Sequence, residues 1–243
     1  MHAGSTVTTK LATIATSTVA TLALTSAVLA VPAASSGSPA RTGVCAGVQD
    51  CRRVATIDVD GDRRADRVGW HRINKKRVQI RVRTAKGRLL RREVNVRYWW
   101  RGGKWGGAAW IDGRPGAELL VGSLMGAHTP YYTMLTFRRG RLVVEKSPAV
   151  GAYGSFRWAI DSSMMAHAGW HRNVGPRGRI TMTQRVATRN GDGVGFKGHD
   201  VRYAWKRGQW KRVKRIPRWY DNTRQAAKIG GWHVWHLRRF PGL

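Results

Sequence analysis

Acidic residues are the scarce ingredient of this chain: 13 Asp and Glu stand against 44 Lys and Arg in 243 residues, a formal net charge of +31. So thin a supply excludes a surface balanced by ion pairs, and it makes any local gathering of carboxylates informative. Cysteine is nearly absent, with Cys45 and Cys51 the two representatives. No histidine lies in that segment, which excludes a zinc site built there. Sustained helical periodicity is missing beyond the N-terminal stretch, which argues against a helical body. Also missing are a G-x-S-x-G elbow, an H-E-x-x-H pair and a phosphate loop.

What is present begins with an export pattern. Lys10 precedes an uncharged, Ala/Thr/Leu-rich run from Leu11 to Ala30, and Val31-Pro32-Ala33-Ala34 offers small residues for cleavage. Residues 1–34 therefore read as a signal peptide, the alternative being an uncleaved anchor of spanning length. The expected location is secreted. In that setting Cys45 and Cys51 are expected to pair as a disulfide within an N-terminal linker, 35–52. The positive charge predicts attraction to polyanions. It is scattered along every segment and is rich in Arg, as a GC-rich genome would also produce, and export removes the chain from intracellular nucleic acid. Anionic wall polymer, lipid headgroup or extracellular DNA are the contacts it leaves open.

A repeat is visible. Gly69-Trp70-His71-Arg72 recurs as Gly169-Trp170-His171-Arg172, and Asp60-Gly61 with Ala65-Asp66 is echoed by Asp112-Gly113 with Ala117-Glu118. A period near 50 fits three units, roughly 53–103, 107–153 and 155–215. Each reads as short alternating strands turned at Gly, as at Lys86-Gly87, Arg139-Gly140 and Arg207-Gly208. The predicted fold is all-β, with about three four-stranded, propeller-blade-like units. Three blades are fewer than ring closure usually needs, so the propeller would be incomplete or atypical. Twelve Trp supply core area. The pattern breaks after Pro217, leaving 216–243 as an aromatic and basic tail that caps the last sheet or, alternatively, contacts a membrane or wall.

The most informative stretch is Asp58-Val59-Asp60-Gly61-Asp62-Arg63-Arg64-Ala65-Asp66, which holds four of the thirteen acids. Carboxylates at positions 1, 3, 5 and 9 of a tight loop suit Ca²⁺, which takes an all-oxygen shell. Position 12 is Gly69, which argues against an EF-hand. The alternative is a turn neutralised by Arg63, Arg64 and Arg67 without metal. The loop resembles the FG-GAP (VCBS-type) repeat of integrin-α-like propellers, D-x-D-G-D-G-x-x-D, closely over 57–69 and degenerately over 111–122. The whole arrangement is similar to secreted actinobacterial proteins carrying such repeats. The resemblance implies a Ca²⁺-supported propeller-like fold used for adhesion or ligand display, with Asp58, Asp60, Asp62 and Asp66 as ligands and the Arg64 carbonyl as a fifth. Arg63 departs from the family, which has Gly there. The second loop, keeping Asp112 and Glu118 with Arg114 intruding, is expected to bind no metal.

Eight His invite an enzyme reading. His167 and His171 lie in a strand-like repeat and so do not share a helix face. His128, in the loop Gly126 to Pro130, is the most plausible functional histidine and lacks an identifiable partner. The expectation is therefore a non-catalytic protein: a Ca²⁺-stabilised binding, adhesion or structural module with an extracellular or cell-wall ligand. A non-specific binder of anionic polymer or lipid is the alternative, and a secreted hydrolase stands last.

Overall fold

The computed structural model describes residues 43–99, 103–149 and 156–241; the expected signal at 1–34 and the first part of the linker lie outside them. The fold is all-β, as expected, in three antiparallel sheets of which none closes into a barrel. Sheet 1 is a meander of β1 (Cys51–Ile57), β2 (Asp66–Asn74), β3 (Arg77–Arg83) and β4 (Leu89–Asn95). Sheet 2 runs β5 (Lys104–Ala109), β6 (Glu118–Met125), β7 (Pro130–Arg138) and β8 (Arg141–Glu145), and β9 (Trp158–Ala159) pairs with β7. Sheet 3 runs β10 (Asp161–Ser162), β11 (Ala166–Val174), β12 (Ile180–Arg189), β13 (Phe196–Lys206) and β14 (Gln209–Tyr220). The short helix α1 (Thr223–Ala227) follows, and β15 (Gly231–His233) then lies parallel to β11.

The sheets match the three units in number and depart from them in detail. Only sheet 1 has four strands. The third unit starts late, because β9 completes sheet 2 before the chain enters sheet 3. The expected break at Pro217 does not occur: β14 continues through it to Tyr220. Proline is tolerated there because β14 is an edge strand, whose outward positions need no ladder N–H. The expected reversals at Arg139-Gly140 and Arg207-Gly208 are two-residue turns with both residues at positive φ, the twist that hairpins favour.

Sheet 2 is the central layer. On β6 every residue from Glu118 to Leu124 is buried, as befits a strand covered on both faces. Leu119, Val121 and Leu135 pack with Val68, Trp70 and Ile80 of sheet 1. Leu120, Tyr132 and Met134 point the other way and join Trp158, Trp170, Trp210 and Trp232 in the core shared with sheet 3. The tail is part of that core, since Trp232 and Val234 are buried and the Tyr132 hydroxyl donates to the Pro241 carbonyl. It caps the last sheet, while Trp235 stays exposed.

Cys45 and Cys51 form the expected disulfide. It lays Val44 over sheet 1, where the Arg81 Nε donates to the Val44 carbonyl at 2.8 Å. This contact explains the repeated Gly-Trp step. A Cβ on Gly69 would stand 3.1 Å from Val44, and one on Gly169 would stand 1.8 Å from the Ile229 carbonyl oxygen. At both positions another segment crosses the sheet face, so a side chain is excluded while the next residue, Trp70 or Trp170, fills the opposite core.

Candidate functional site

The acidic loop joins β1 to β2 and is organised by its own carboxylates. Asp58 accepts from the N–H groups of Gly61 (2.7 Å) and Arg63 (2.8 Å). Asp60 accepts from Asp62 (3.2 Å), and Asp62 from Arg64 (2.9 Å). Asp66, fully buried at the start of β2, accepts from Val59 (2.8 Å), Asp60 (3.2 Å) and, across the sheet, Ala85 (2.8 Å). Short polar side chains bonding the backbone two or three residues on hold such a turn in shape.

Oxygens of Asp58, Asp60 and Asp66 lie within 4.8 Å of one another, a donor set that could hold a metal ion. Burial and the facing Asp66, Asp62 and Asp58 carboxylates raise the Asp60 pKa above its ordinary value. Asp62, expected among the ligands, does not join this group: its carboxylate is ion-paired with Lys86 at 3.4 Å. Desolvation pulls Asp62 upward but is outweighed by the Arg64 N–H and the Lys86 ammonium, which hold it below the usual range. Arg64 enters the loop's bonding through this N–H. Among the described residues, Arg63, Arg64 and Arg67 form no ion pair with the three converging carboxylates. The arginine-neutralised turn is therefore not the arrangement found. Arg63 occupies the family's glycine position with φ at 66°, in the left-handed region.

The loop between β5 and β6 repeats this scaffold. Ile111 and Asp112 donate to the Glu118 carboxylate at 2.7 and 3.4 Å, as Val59 and Asp60 donate to Asp66. Arg114 donates to Asp112 at 2.8 Å. The two loops touch: Ala117 donates to the Asp58 carbonyl at 2.8 Å, and a Cβ on Gly116 would stand 2.3 Å from the Val59 carbonyl oxygen. A trace survives in sheet 3, where Ser163 donates to Asp161 at 2.9 Å.

Around the second loop lies a cluster that sequence reasoning missed. Asp112, Glu118 and Glu145 are buried with oxygens within 4.8 Å of one another. Glu118 also accepts from Thr136 (2.9 Å), and Glu145 from the Trp210 indole N–H (2.8 Å). Arg138 is ion-paired with Asp112 and lies 3.8 Å from Glu145. Burial, then the Asp112 charge, pushes the Glu118 pKa up to about 7. Burial raises Glu145 well above its ordinary value, helped by Glu118 and Asp112. Burial raises Asp112 as well, against the Arg114 N–H and Arg138. The Arg138 guanidinium supplies this set with a positive charge of its own, which the Asp58, Asp60 and Asp66 group lacks. A cleft of about 420 Å³, lined by Arg138, Glu145, Trp205 and Trp210, connects it to solvent. Asp112 and Glu118 were visible in sequence; Glu145 and Arg138 join them only through the β7–β8 hairpin.

The histidines do not assemble a catalytic set among the described residues. His128 is exposed on the β6–β7 loop, with no hydrogen bond to another titratable side chain. His171 stacks on His233 with ring centroids 3.8 Å apart. Burial, then the neighbouring His233 and Arg185, pushes the His171 pKa down to about 3, and burial, then Arg239, lowers that of His233 as well. No described helix is long and apolar enough to cross a membrane. No protein-family model, no curated protein and no solved structure matches the chain, and the FG-GAP resemblance rests on its loop residues alone.

Proposed function

We propose that this is a secreted, non-catalytic binding module whose sheet 1 is stabilised by Ca²⁺ at the loop 58–66. The convergence of Asp58, Asp60 and Asp66 without an arginine counter-ion carries the reading. Three clustered carboxylates repel one another, and a hard divalent cation with oxygen ligands relieves that repulsion. Asp58, Asp60 and Asp66 would hold the ion, with water and backbone carbonyl completing the shell. Asp62 stays with Lys86. The export pattern and the disulfide support a role at the cell envelope, in adhesion or ligand display.

Calcium added to chelator-treated protein is expected to raise the unfolding midpoint. With a dissociation constant near 10⁻⁴ M, typical of extracellular sites, a hundredfold excess of ion gives about 2.7 kcal/mol. Asp60→Asn should remove that response, and Asp112→Asn, in the second loop, should leave it intact. An unchanged midpoint with all three carboxylates present would end the calcium reading. Retention on cell-wall fractions, compared with and without chelator, tests the binding role.

A further inference from the structure

The long hairpin of sheet 3 is dense in basic residues, as is the stretch 72–92 of sheet 1, but there Arg72, Arg77 and Lys86 are ion-paired, whereas the hairpin's cations stand almost entirely without carboxylate partners. Residues 196–220 contain nine Lys and Arg and one acid, Asp200, about twice the basic density of the whole chain. All nine are exposed. Asp200 is buried and engages Arg218 (3.0 Å) and Arg185 (3.6 Å), so eight of the nine have no carboxylate partner among the described residues. At about 3.4 Å per residue the two strands make a ribbon some 35 to 40 Å long. β14 forms its free edge, with β13 as its one strand neighbour.

The pairing register sorts the basic groups onto both faces. Arg202 lies directly opposite Lys214, on the same face as Lys211 and Arg218. Like charges placed opposite each other disfavour the sheet, so folding does not account for them. The bulge between Arg202 and Tyr203 leaves Val213 unpaired and turns Arg212 and Arg215 to the other face. On that face Lys197 stands opposite Trp219, and Arg215 lies two alternations away, 3.3 Å from His199. Trp219 is 71% exposed. A large indole left in water among cations is unexplained by packing and fits a partner that supplies both phosphate and a flat ring.

We infer that the β13–β14 ribbon binds single-stranded nucleic acid, its Lys and Arg tracking the phosphates and Trp219 stacking on a base. The inference rests on the reading of the protein as a binding module and gives that module a partner chemistry. A polymer of phosphate without bases would engage the charges and leave the indole without a role; a lipid interface could take the indole, so anionic vesicles that compete as effectively as an oligonucleotide would overturn the inference.

The test is fluorescence anisotropy of the purified chain with a labelled oligothymidine of about 16 nucleotides, over a salt series, in calcium and in chelator. Replacing Lys211, Arg212, Lys214 and Arg215 with Gln is expected to weaken binding at least tenfold and to lower the salt slope by about three. Replacing the equally exposed Arg52, Arg53, Arg91 and Arg92 of sheet 1 removes the same charge and should cost far less. Trp219→Ala should weaken binding about 5- to 100-fold with the salt slope unchanged. Equal losses from the two four-residue variants, no effect of Trp219→Ala, or competition by inorganic polyphosphate as effective as by the oligonucleotide would each overturn it. Circular dichroism on each variant separates lost binding from lost folding. Binding that persists in chelator while calcium fails to shift the midpoint supports the ribbon and rejects the calcium site, so the two readings fail separately.

Discussion

The loops 58–66 and 111–118 are two uses of one scaffold. Both close with a buried carboxylate taking the N–H groups six and seven residues back. The first keeps Asp58 and Asp60 half-buried at the loop surface and has no guanidinium in its cluster; the second sinks its acids between sheets 2 and 3 and closes them with Arg138. The backbone pattern therefore does not decide whether a carboxylate cluster is open to an ion. Its neighbours do. Trp110 replaces Asp58 in the second loop, and Glu145 arrives from β8 to supply the third acid.

Removing the cation from each loop should give the largest contrast. Arg138→Met leaves buried Asp112 without its counter-ion and should cost about 3 to 5 kcal/mol at neutral pH, read by urea unfolding. Lowering the pH should recover part of that loss as the carboxyls take up protons. In the first loop Lys86 is 67% exposed, and Lys86→Met should cost less than about 1 kcal/mol. Equal costs would mean that the second cluster is not closed by its arginine.

Proton linkage gives the next largest effect. Glu118 has a folded pKa of about 7, above its unfolded value near 4.5. Between these values the folded protein holds more protons than the unfolded chain. The contribution of Glu118 to stability is therefore fully present below about pH 4.5 and is lost as the pH rises through 7, an amount on the order of 3 kcal/mol. Glu118→Gln keeps an acceptor for the Ile111 N–H and should flatten that fall. Unfolding free energies measured from pH 4.5 to 8 on both proteins check it; parallel slopes would show that Glu118 does not titrate there.

The architecture was legible where local chemistry sets it. Alternating strands, the Arg-Gly reversals and the Gly-Trp repeat announced three β units, because turn and strand preferences act over a few residues. Where tertiary partners decide, sequence said less. Pro217 read as a terminator, yet an edge position accommodates it. The acidic loop showed its spacing but not that Lys86, twenty-four residues on, draws Asp62 away from the other three. Glu145 and Arg138 look like ordinary strand-end charges until β8 folds back on β7, and Trp210 then reaches Glu145 from sheet 3.

Arg63 offers the smallest and cleanest refinement. Its φ of 66° is imposed by the loop, since its N–H must reach Asp58 for the turn to close. A residue with a Cβ in that region carries a cost of roughly 1 to 2 kcal/mol, and glycine carries none. Glycine loses more backbone freedom on folding, about 0.5 to 1 kcal/mol, which offsets part of the gain. Arg63→Gly should therefore raise stability by about 1 kcal/mol or less. It also removes a positive charge beside Asp58, Asp60 and Asp66, so the calcium-dependent shift in midpoint should grow. Greater stability with an unchanged calcium response would mean that Arg63 strains the turn but exerts no field on the three carboxylates. No gain in stability would show that the left-handed backbone at this position is relieved by contacts of the arginine itself.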